Sequence, residues 1–126
     1  MARIVLIEDN RDLRNLLADS LVSAGHSVWS TRDASAGVTK CEQWPAEMVI
    51  TDLVVPNSAA LEELLRIRRG ADAPHIIVIS GALDSPEPAS LAQRLAGSNV
   101  LAKPFRAATL RRLVNDLLAD STASRV

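Results

Sequence analysis

Five short apolar runs alternate with five amphipathic segments along the chain, and this alternation restricts the folds that the chain can adopt. The runs "IVLI" (4–7), "MVIT" (48–51) and "IIVI" (76–79) are typical of strands buried on both faces of a parallel sheet. The more polar "SVWST" (27–31) is typical of an edge strand, and "NVLA" (99–102) predicts a short last strand. Regular alternation with short connections favours an α/β fold.

Leucines at helical spacing mark the first and last of the amphipathic segments. The first predicts a helix that ends near Gly25 and packs through Leu13, Leu16, Leu17 and Leu21. Weaker signals predict a helix around residues 34–41 closed by "WP" (44–45), one from residue 61 to 70, and one from "SPEP" (85–88) to residue 97. The last helix carries apolar residues from 110 to 118, and residues 120–126 predict a frayed tail. Together these elements favour a flavodoxin-like doubly wound sheet, with five parallel strands in the order 2-1-3-4-5 and five helices.

Length, charge and cysteine content exclude several classes of function. A chain of 126 residues is long enough for one domain, which we expect to span residues 1–126. The formal net charge is −1 and no basic stripe is visible, so we expect no nucleic acid and no membrane as a partner. Cys41 is the single cysteine, which excludes an internal disulfide and a thiolate metal site. Without a secretory pattern or a membrane-length apolar run, the protein is predicted to be cytoplasmic.

Polar residues follow four of the five predicted strands. Strand 1 ends in Glu8 and Asp9, strand 3 in Asp52, strand 4 in Ser80 and strand 5 in Lys103, whereas strand 2 contributes nothing obvious. Ligands of open parallel sheets bind beyond the carboxyl ends of the strands, where the strand order reverses, here between strands 1 and 3. We therefore expect these side chains to converge on one edge of the sheet.

Their chemistry predicts a magnesium-assisted phosphoryl site. Three carboxylates repel one another unless a cation lies between them, and Mg²⁺ binds carboxylates together with water and phosphate oxygen. A lysine and a hydroxyl can hold a phosphoryl group, and Asp52 could accept that group as an aspartyl phosphate. Each residue also has a simpler interpretation. Asp9 or Asn10 could cap the next helix, Asp52 could lie in a loop, and Ser80 and Lys103 could be turn and surface residues.

The sequence resembles a receiver domain of the two-component response regulators over essentially its whole length. The resemblance is carried by "IEDN" (7–10), "TDLVVPN" (51–57), "ISGA" (79–82) and "KPF" (103–105). It implies that Asp52 accepts a phosphoryl group from a histidine kinase, a histidine phosphotransfer protein or a small phosphodonor. It further implies a Mg²⁺ site formed by Glu8, Asp9, Asp52 and the backbone carbonyl of Val54.

The same resemblance assigns the phosphoryl contacts and the output. Ser80, Lys103 and the backbone amides near Val54 and Gly81 would hold the phosphoryl group. The Lys103–Pro104 bond would be cis, as is usual in the family. A downstream protein would be contacted through the face formed by helix 4, strand 5 and helix 5.

Three positions depart from the family pattern. The loop after the acceptor usually carries methionine before its proline and glycine four residues after it, where this chain has Val55 and Ala60. The last strand usually carries an aromatic residue that swings inward, and here that position is Val100, which is too short and too stiff to do so. In addition, Val54 and Ala82 are apolar and cannot hold an attacking water, which predicts a comparatively long-lived aspartyl phosphate.

Rival interpretations make different demands on the same positions. A haloacid-dehalogenase-like phosphatase needs a second aspartate where Val54 stands. A nucleotide or flavin module needs a glycine- or hydroxyl-rich loop after strand 1, where this chain has Glu8 and Asp9. The nearest rival is a degenerate receiver that acts as a phosphorylation-independent scaffold, although such chains typically lack part of the acidic pair, acceptor and lysine set.

Overall fold

The computed structural model describes residues 1–68, 73–81, 86–97 and 99–124. Within these ranges five strands alternate with five helices, and a 3-10 turn, Ser58–Glu62, precedes the third helix. The elements are β1 (Arg3–Ile7), α1 (Arg11–Ser23), β2 (Ser27–Thr31), α2 (Ala34–Gln43), β3 (Met48–Asp52), α3 (Glu63–Arg68), β4 (His75–Ser80), α4 (Pro86–Ala96), β5 (Val100–Ala102) and α5 (Ala107–Ser124).

The strands form one parallel sheet in the order β2-β1-β3-β4-β5, which confirms the predicted topology. Each strand begins and ends within one residue of its apolar run. The polar β2 lies at one edge of the sheet, as predicted, and the three-residue β5 lies at the other. Since all strands are parallel, their carboxyl ends meet along a single edge.

Alternate residues of β1 belong to two separate hydrophobic clusters, one on each face of the sheet. Val5 and Ile7 pack on the side covered by α2, α3 and α4, while Ile4 and Leu6 pack under α1 and α5. On the first side α2 lies very close to β1. A Cβ added to Gly37 would overlap the side chain of Ile7, so only glycine fits there without a shift.

Two packing expectations are corrected by the structure. Leu17 and Leu21 of α1 are buried and Leu13 is partly buried, but Leu16 is 57% exposed. Leu16 lies about 100° around the helix from Leu17, which turns it off the buried stripe. The predicted frayed tail is also wrong over most of its length, because α5 continues to Ser124. No proline or glycine occurs between residues 107 and 124 to end the helix earlier.

The helix ends largely follow the predicted signals. Gly25, which follows the C-terminal cap of α1, and Gly97, which follows α4, take positive φ angles of 98° and 58°, a conformation that glycine adopts without strain. Trp44 is the C-terminal cap of α2. The predicted end of the third helix at Gly70 lies outside the described residues.

A cation–aromatic cluster lies on the β2–α2 side of the molecule. Lys40 of α2 places its ammonium 5.5 Å from the ring centre of Trp29 and 5.1 Å from that of Trp44. Both tryptophans and Cys41 are partly buried against the α2–α4 cluster. Burial raises the pKa of the Cys41 thiol to about 11, which agrees with a packing role.

Among the described residues, no helix is both long and apolar enough to cross a membrane.

Candidate functional site

The strand register brings four of the predicted site positions to one edge of the sheet. Ile7 pairs with Thr51, so Glu8 and Asp52 follow at neighbouring ends of β1 and β3. Ser80 closes β4 beside Ala102, and Lys103 follows directly after β5. The convergence that the sequence predicts is therefore present for strands 1, 3, 4 and 5.

Lys103 lies between two buried carboxylates. Its Nζ is 2.6 Å from Oδ2 of Asp52 and 2.7 Å from Oε1 of Glu8. The contact with Asp52 is a directed hydrogen bond, whereas the contact with Glu8 is an ion pair without good alignment. Burial alone would lower the pKa of Lys103, but the hydrogen bond to Asp52 and the negative charges of Asp52 and Glu8 outweigh it and raise that pKa above 10.5. Lys103 is thus a fixed positive charge.

Two hydrogen bonds from the start of α1 and the residue before it fix the side chain and the backbone carbonyl of Glu8. The Asn10 N–H donates to Oε2 of Glu8 at 3.1 Å, and the Arg14 guanidinium donates to the Glu8 carbonyl at 2.9 Å. Asn10 in turn caps α1, because its side-chain oxygen accepts from the Leu13 N–H at 2.9 Å. The capping interpretation therefore holds for Asn10, while Glu8 belongs to the buried charge cluster.

Asp52 is buried and fixed through both carboxylate oxygens. Oδ1 accepts a hydrogen bond of 3.0 Å from the Val54 N–H, and Oδ2 accepts from Lys103. The Val54 side chain, by contrast, is 62% exposed to solvent. This arrangement orients the carboxylate toward the edge that carries the other predicted site residues.

Ser80 and the cis peptide bond complete this edge. Ser80 is fully buried, and its backbone carbonyl accepts from the Lys103 N–H at 3.2 Å. Gly81 follows it, and a Cβ added to Gly81 would lie 3.9 Å from the Lys103 Cβ, in ordinary van der Waals contact. The Lys103–Pro104 bond is cis, which confirms that expectation.

Asp9 does not belong to this buried cluster, because it is exposed to solvent and is paired with a different cation. Its carboxylate is 48% exposed and lies 3.4 Å from the guanidinium of Arg32, which is 66% exposed. In the part of the chain that the structure describes, no three Asp, Glu, His or Cys side chains form a group that could hold a metal. The structure thus brings Glu8, Asp52 and Lys103 together and pairs Asp9 with Arg32.

The loop after β2 also reaches the site, contrary to the expectation that strand 2 contributes nothing. Arg32 contacts Asp9, and the next residue, Asp33, accepts two hydrogen bonds from the Asn57 amide at 3.0 and 3.2 Å. The hydrogen bond from Asn57 holds the pKa of Asp33 below its usual value. An aspartate directly before a helix is a sequence signal for a cap, which Asp33 provides to Ser35, but that signal says nothing of Asn57.

The loop after Asp52 departs locally from the family pattern. Asn57 takes a positive φ of 58°, and Ala60 lies in the 3-10 turn that follows. Asparagine tolerates this left-handed conformation better than most residues. The Ala34 N–H donates to the Pro56 carbonyl at 3.0 Å, so the loop is tied to the start of α2.

Comparison with known proteins gives a consistent result. The family profile "Response regulator receiver domain" matches residues 4–115. The chain is 33% identical over 118 residues to the response regulator receiver protein CpdR of Brucella abortus (strain 2308), covering 93% of this chain and 94% of CpdR. It is 31% identical over 114 residues to the response regulator protein FleR of Pseudomonas aeruginosa, covering 90% of this chain but only 24% of FleR.

A solved structure supports the fold alone. The receiver domain protein (CheY-like) from Methanospirillum hungatei JF-1 superposes with a TM-score of 0.87 at 18% identity, and the match covers 98% of each chain.

Proposed function

Because this chain belongs to the response regulator receiver domain family, we propose that it accepts a phosphoryl group on Asp52 in a Mg²⁺-dependent reaction. The donor is a histidine kinase or a histidine phosphotransfer protein, and the signal leaves through altered protein–protein contacts. Receiver domains are phosphoacceptor switches of two-component systems that interact with histidine kinases and with downstream targets. In the proposal, residues 1–126 act as one such domain, in the cytoplasm.

The environment of Asp52 carries this proposal. A buried carboxylate held through one oxygen by the Val54 amide and through the other by Lys103 is oriented before any donor arrives. In the transfer, a carboxylate oxygen of Asp52 attacks the phosphorus of a phosphohistidine. The new O–P bond forms as the P–N bond breaks, and the imidazole nitrogen keeps the electron pair and takes up a proton.

Lys103 and Ser80 would bind the oxygen atoms of the transferred phosphoryl group. The ammonium of Lys103 is already paired with two carboxylates, and it can move to the negative phosphoryl oxygens while it stays protonated. Ser80 at the end of β4 would supply a hydroxyl. The chain thereby assists its own phosphotransfer and dephosphorylation without acting as an enzyme on a separate substrate.

The donor chemistry of the strand ends fits Mg²⁺. Glu8, Asp9, Asp52 and the Val54 backbone carbonyl offer only oxygen atoms, and Mg²⁺ commonly takes one or two carboxylates together with water. When bound, the ion would neutralise charge on the phosphoryl oxygens. Asp9 is the accessible carboxylate of this set, while Glu8 and Asp52 are buried against Lys103.

The output is assigned to the face formed by α4, β5 and α5. β5 lies at the edge of the sheet, and Val100 packs against the α2–α4 cluster in place of an aromatic residue. Since valine cannot make an inward swing, the signal must leave through other side chains of α4 and its flanking loops.

Intact-protein mass after incubation with acetyl phosphate tests the proposal. We expect one added phosphoryl group on the wild-type chain in the presence of Mg²⁺, and none without Mg²⁺ or on Asp52→Asn. Asp19→Asn, on the exposed side of α1, is the matched control and should be phosphorylated like the wild type. An adduct that persists on Asp52→Asn would contradict the assignment. A folded chain that gains no phosphate from acetyl phosphate, phosphoramidate or a kinase would instead favour the scaffold alternative.

A further inference from the structure

We propose that Arg32 is a built-in competitor of Mg²⁺ for Asp9 and so sets the metal affinity of the site. This inference rests on the proposed function, since it assigns a role toward the proposed metal. Its central observation is the ion pair of 3.4 Å between the Arg32 guanidinium and Oδ1 of Asp9. The sequence gives no sign of this pair, because the two residues are 23 positions apart on different strand ends.

The backbone fixes Arg32 beside Asp9 from two directions. The β1–β2 pairing continues past Ile7, because the Glu8 N–H donates to the Thr31 carbonyl at 3.0 Å. On the other side of Arg32, the Asp33 side chain caps α2 and binds Asn57. The backbone position of Arg32, directly after β2, is therefore defined. Its side chain reaches Asp9 beyond the end of β1.

The distribution of charge shows why Asp9 is the point of competition. Glu8 and Asp52 share the buried Lys103, whereas Asp9 has an exposed cation as its partner. A divalent ion that binds Asp9 must either displace the guanidinium or sit next to a like charge. Both alternatives weaken binding, and because the pair is solvated the effect is modest.

Removal of the Arg32 charge is the test. We expect Arg32→Gln to bind Mg²⁺ about three- to tenfold more tightly than the wild type, the range for one unit charge near a divalent ion in a water-like dielectric. Arg32→Lys keeps the charge and should stay within about twofold of the wild type. Binding is measured without any phosphodonor, from the shifts of the amide resonances of residues 8–10 and 52–54 during Mg²⁺ titration.

Arg66→Gln is the matched control. Arg66 is also 66% exposed and forms surface ion pairs, but its partners are Glu42 and Glu63 on the α2–α3 side. The variant loses the same charge and should bind Mg²⁺ like the wild type. A gain equal to that of Arg32→Gln would overturn the inference, because it would reflect net charge alone.

The remaining outcomes separate this inference from the proposed function. If the wild type binds Mg²⁺ and Arg32→Gln binds it no more tightly, the competition is refuted while the phosphoacceptor proposal stands. If neither binds Mg²⁺ at any concentration that leaves the protein folded, the metal site itself is refuted and both ideas fail. If Arg32→Gln binds Mg²⁺ more tightly than the wild type and Arg66→Gln does not, the result supports both the metal site and the competition by Arg32.

Discussion

Replacement of Gly37 by alanine tests how much the close packing of α2 against β1 contributes to the stability of the fold. A Cβ on Gly37 would lie well inside van der Waals contact of both Cγ1 and Cδ1 of Ile7. Ile7 is fully buried and directly precedes Glu8. Rotation about χ2 moves only Cδ1, so relief of the Cγ1 contact needs either a change of χ1, which is restricted for a β-branched side chain in a filled core, or a shift of the helix or the strand.

The expected magnitude follows from two opposing contributions. Overpacking of a filled core costs about 1–3 kcal/mol, and two overlapping atoms on a fully buried side chain favour the upper half of that range. Alanine in place of glycine inside a helix returns about 1 kcal/mol. Gly37→Ala should therefore be less stable than the wild type by about 1–2 kcal/mol. Ile7→Val, which removes Cδ1, should cost about 1 kcal/mol alone and less than that in the Gly37→Ala background.

Urea unfolding followed by far-ultraviolet circular dichroism measures these differences. Thr39→Ala, at an exposed position of α2, gains helix propensity without crowding and should be as stable as the wild type or slightly more so. If Gly37→Ala behaves like Thr39→Ala, the argument from close packing is refuted. If it is destabilised but the double variant shows no coupling with Ile7→Val, the strain lies elsewhere.

Two further predictions concern the positive charge of Lys103 and the exposed apolar side chain of Val54. The raised pKa of Lys103 stabilises the fold fully below pH 10.5, and this stabilisation is lost as the pH rises through the higher folded-state value. The free energy of unfolding of the wild type should therefore fall above pH 10.5 relative to Lys103→Met, and equal slopes for the two proteins would contradict the pairing. The exposed Val54 offers no group to hold an attacking water, so Val54→Asn should shorten the half-life of the Asp52 phosphate without changing its Mg²⁺ requirement. The half-life is measured by following the loss of the phosphoryl group from the purified protein. A wild-type half-life of seconds without a phosphatase would count against slow hydrolysis. An unchanged half-life in Val54→Asn would count against the role of Val54.

The sequence was sufficient for the sheet and for most of the site because both depend on local patterns. A run of aliphatic residues marks a buried strand wherever it pairs, and parallel strands align their ends without further information. The positions of Glu8, Asp52, Ser80 and Lys103 follow from those two facts. Asn10 was also readable as a cap, because a cap is a property of a few adjacent residues.

The contacts of the β2–α2 loop could not be predicted in the same way. Arg32 reaches Asp9 over 23 positions and Asp33 reaches Asn57 over 24, and no periodicity encodes the direction of a loop side chain. The exposure of Leu16 has a related cause. Spacing places it at the border of the apolar stripe of α1, about 100° from Leu17, and the packing of the helix on the sheet then decides that this border faces outward.

The cluster of Trp29, Lys40 and Trp44 has a consequence for spectroscopy. The chain contains two tryptophans and no tyrosine, so nearly all of its intrinsic ultraviolet emission arises from this one cluster on the β2–α2 side. Asp52 and Lys103 contribute no chromophore of their own. A change in emission on phosphorylation would therefore report a rearrangement that has reached β2 or the end of α2, and fluorescence would report the switch at a distance from Asp52.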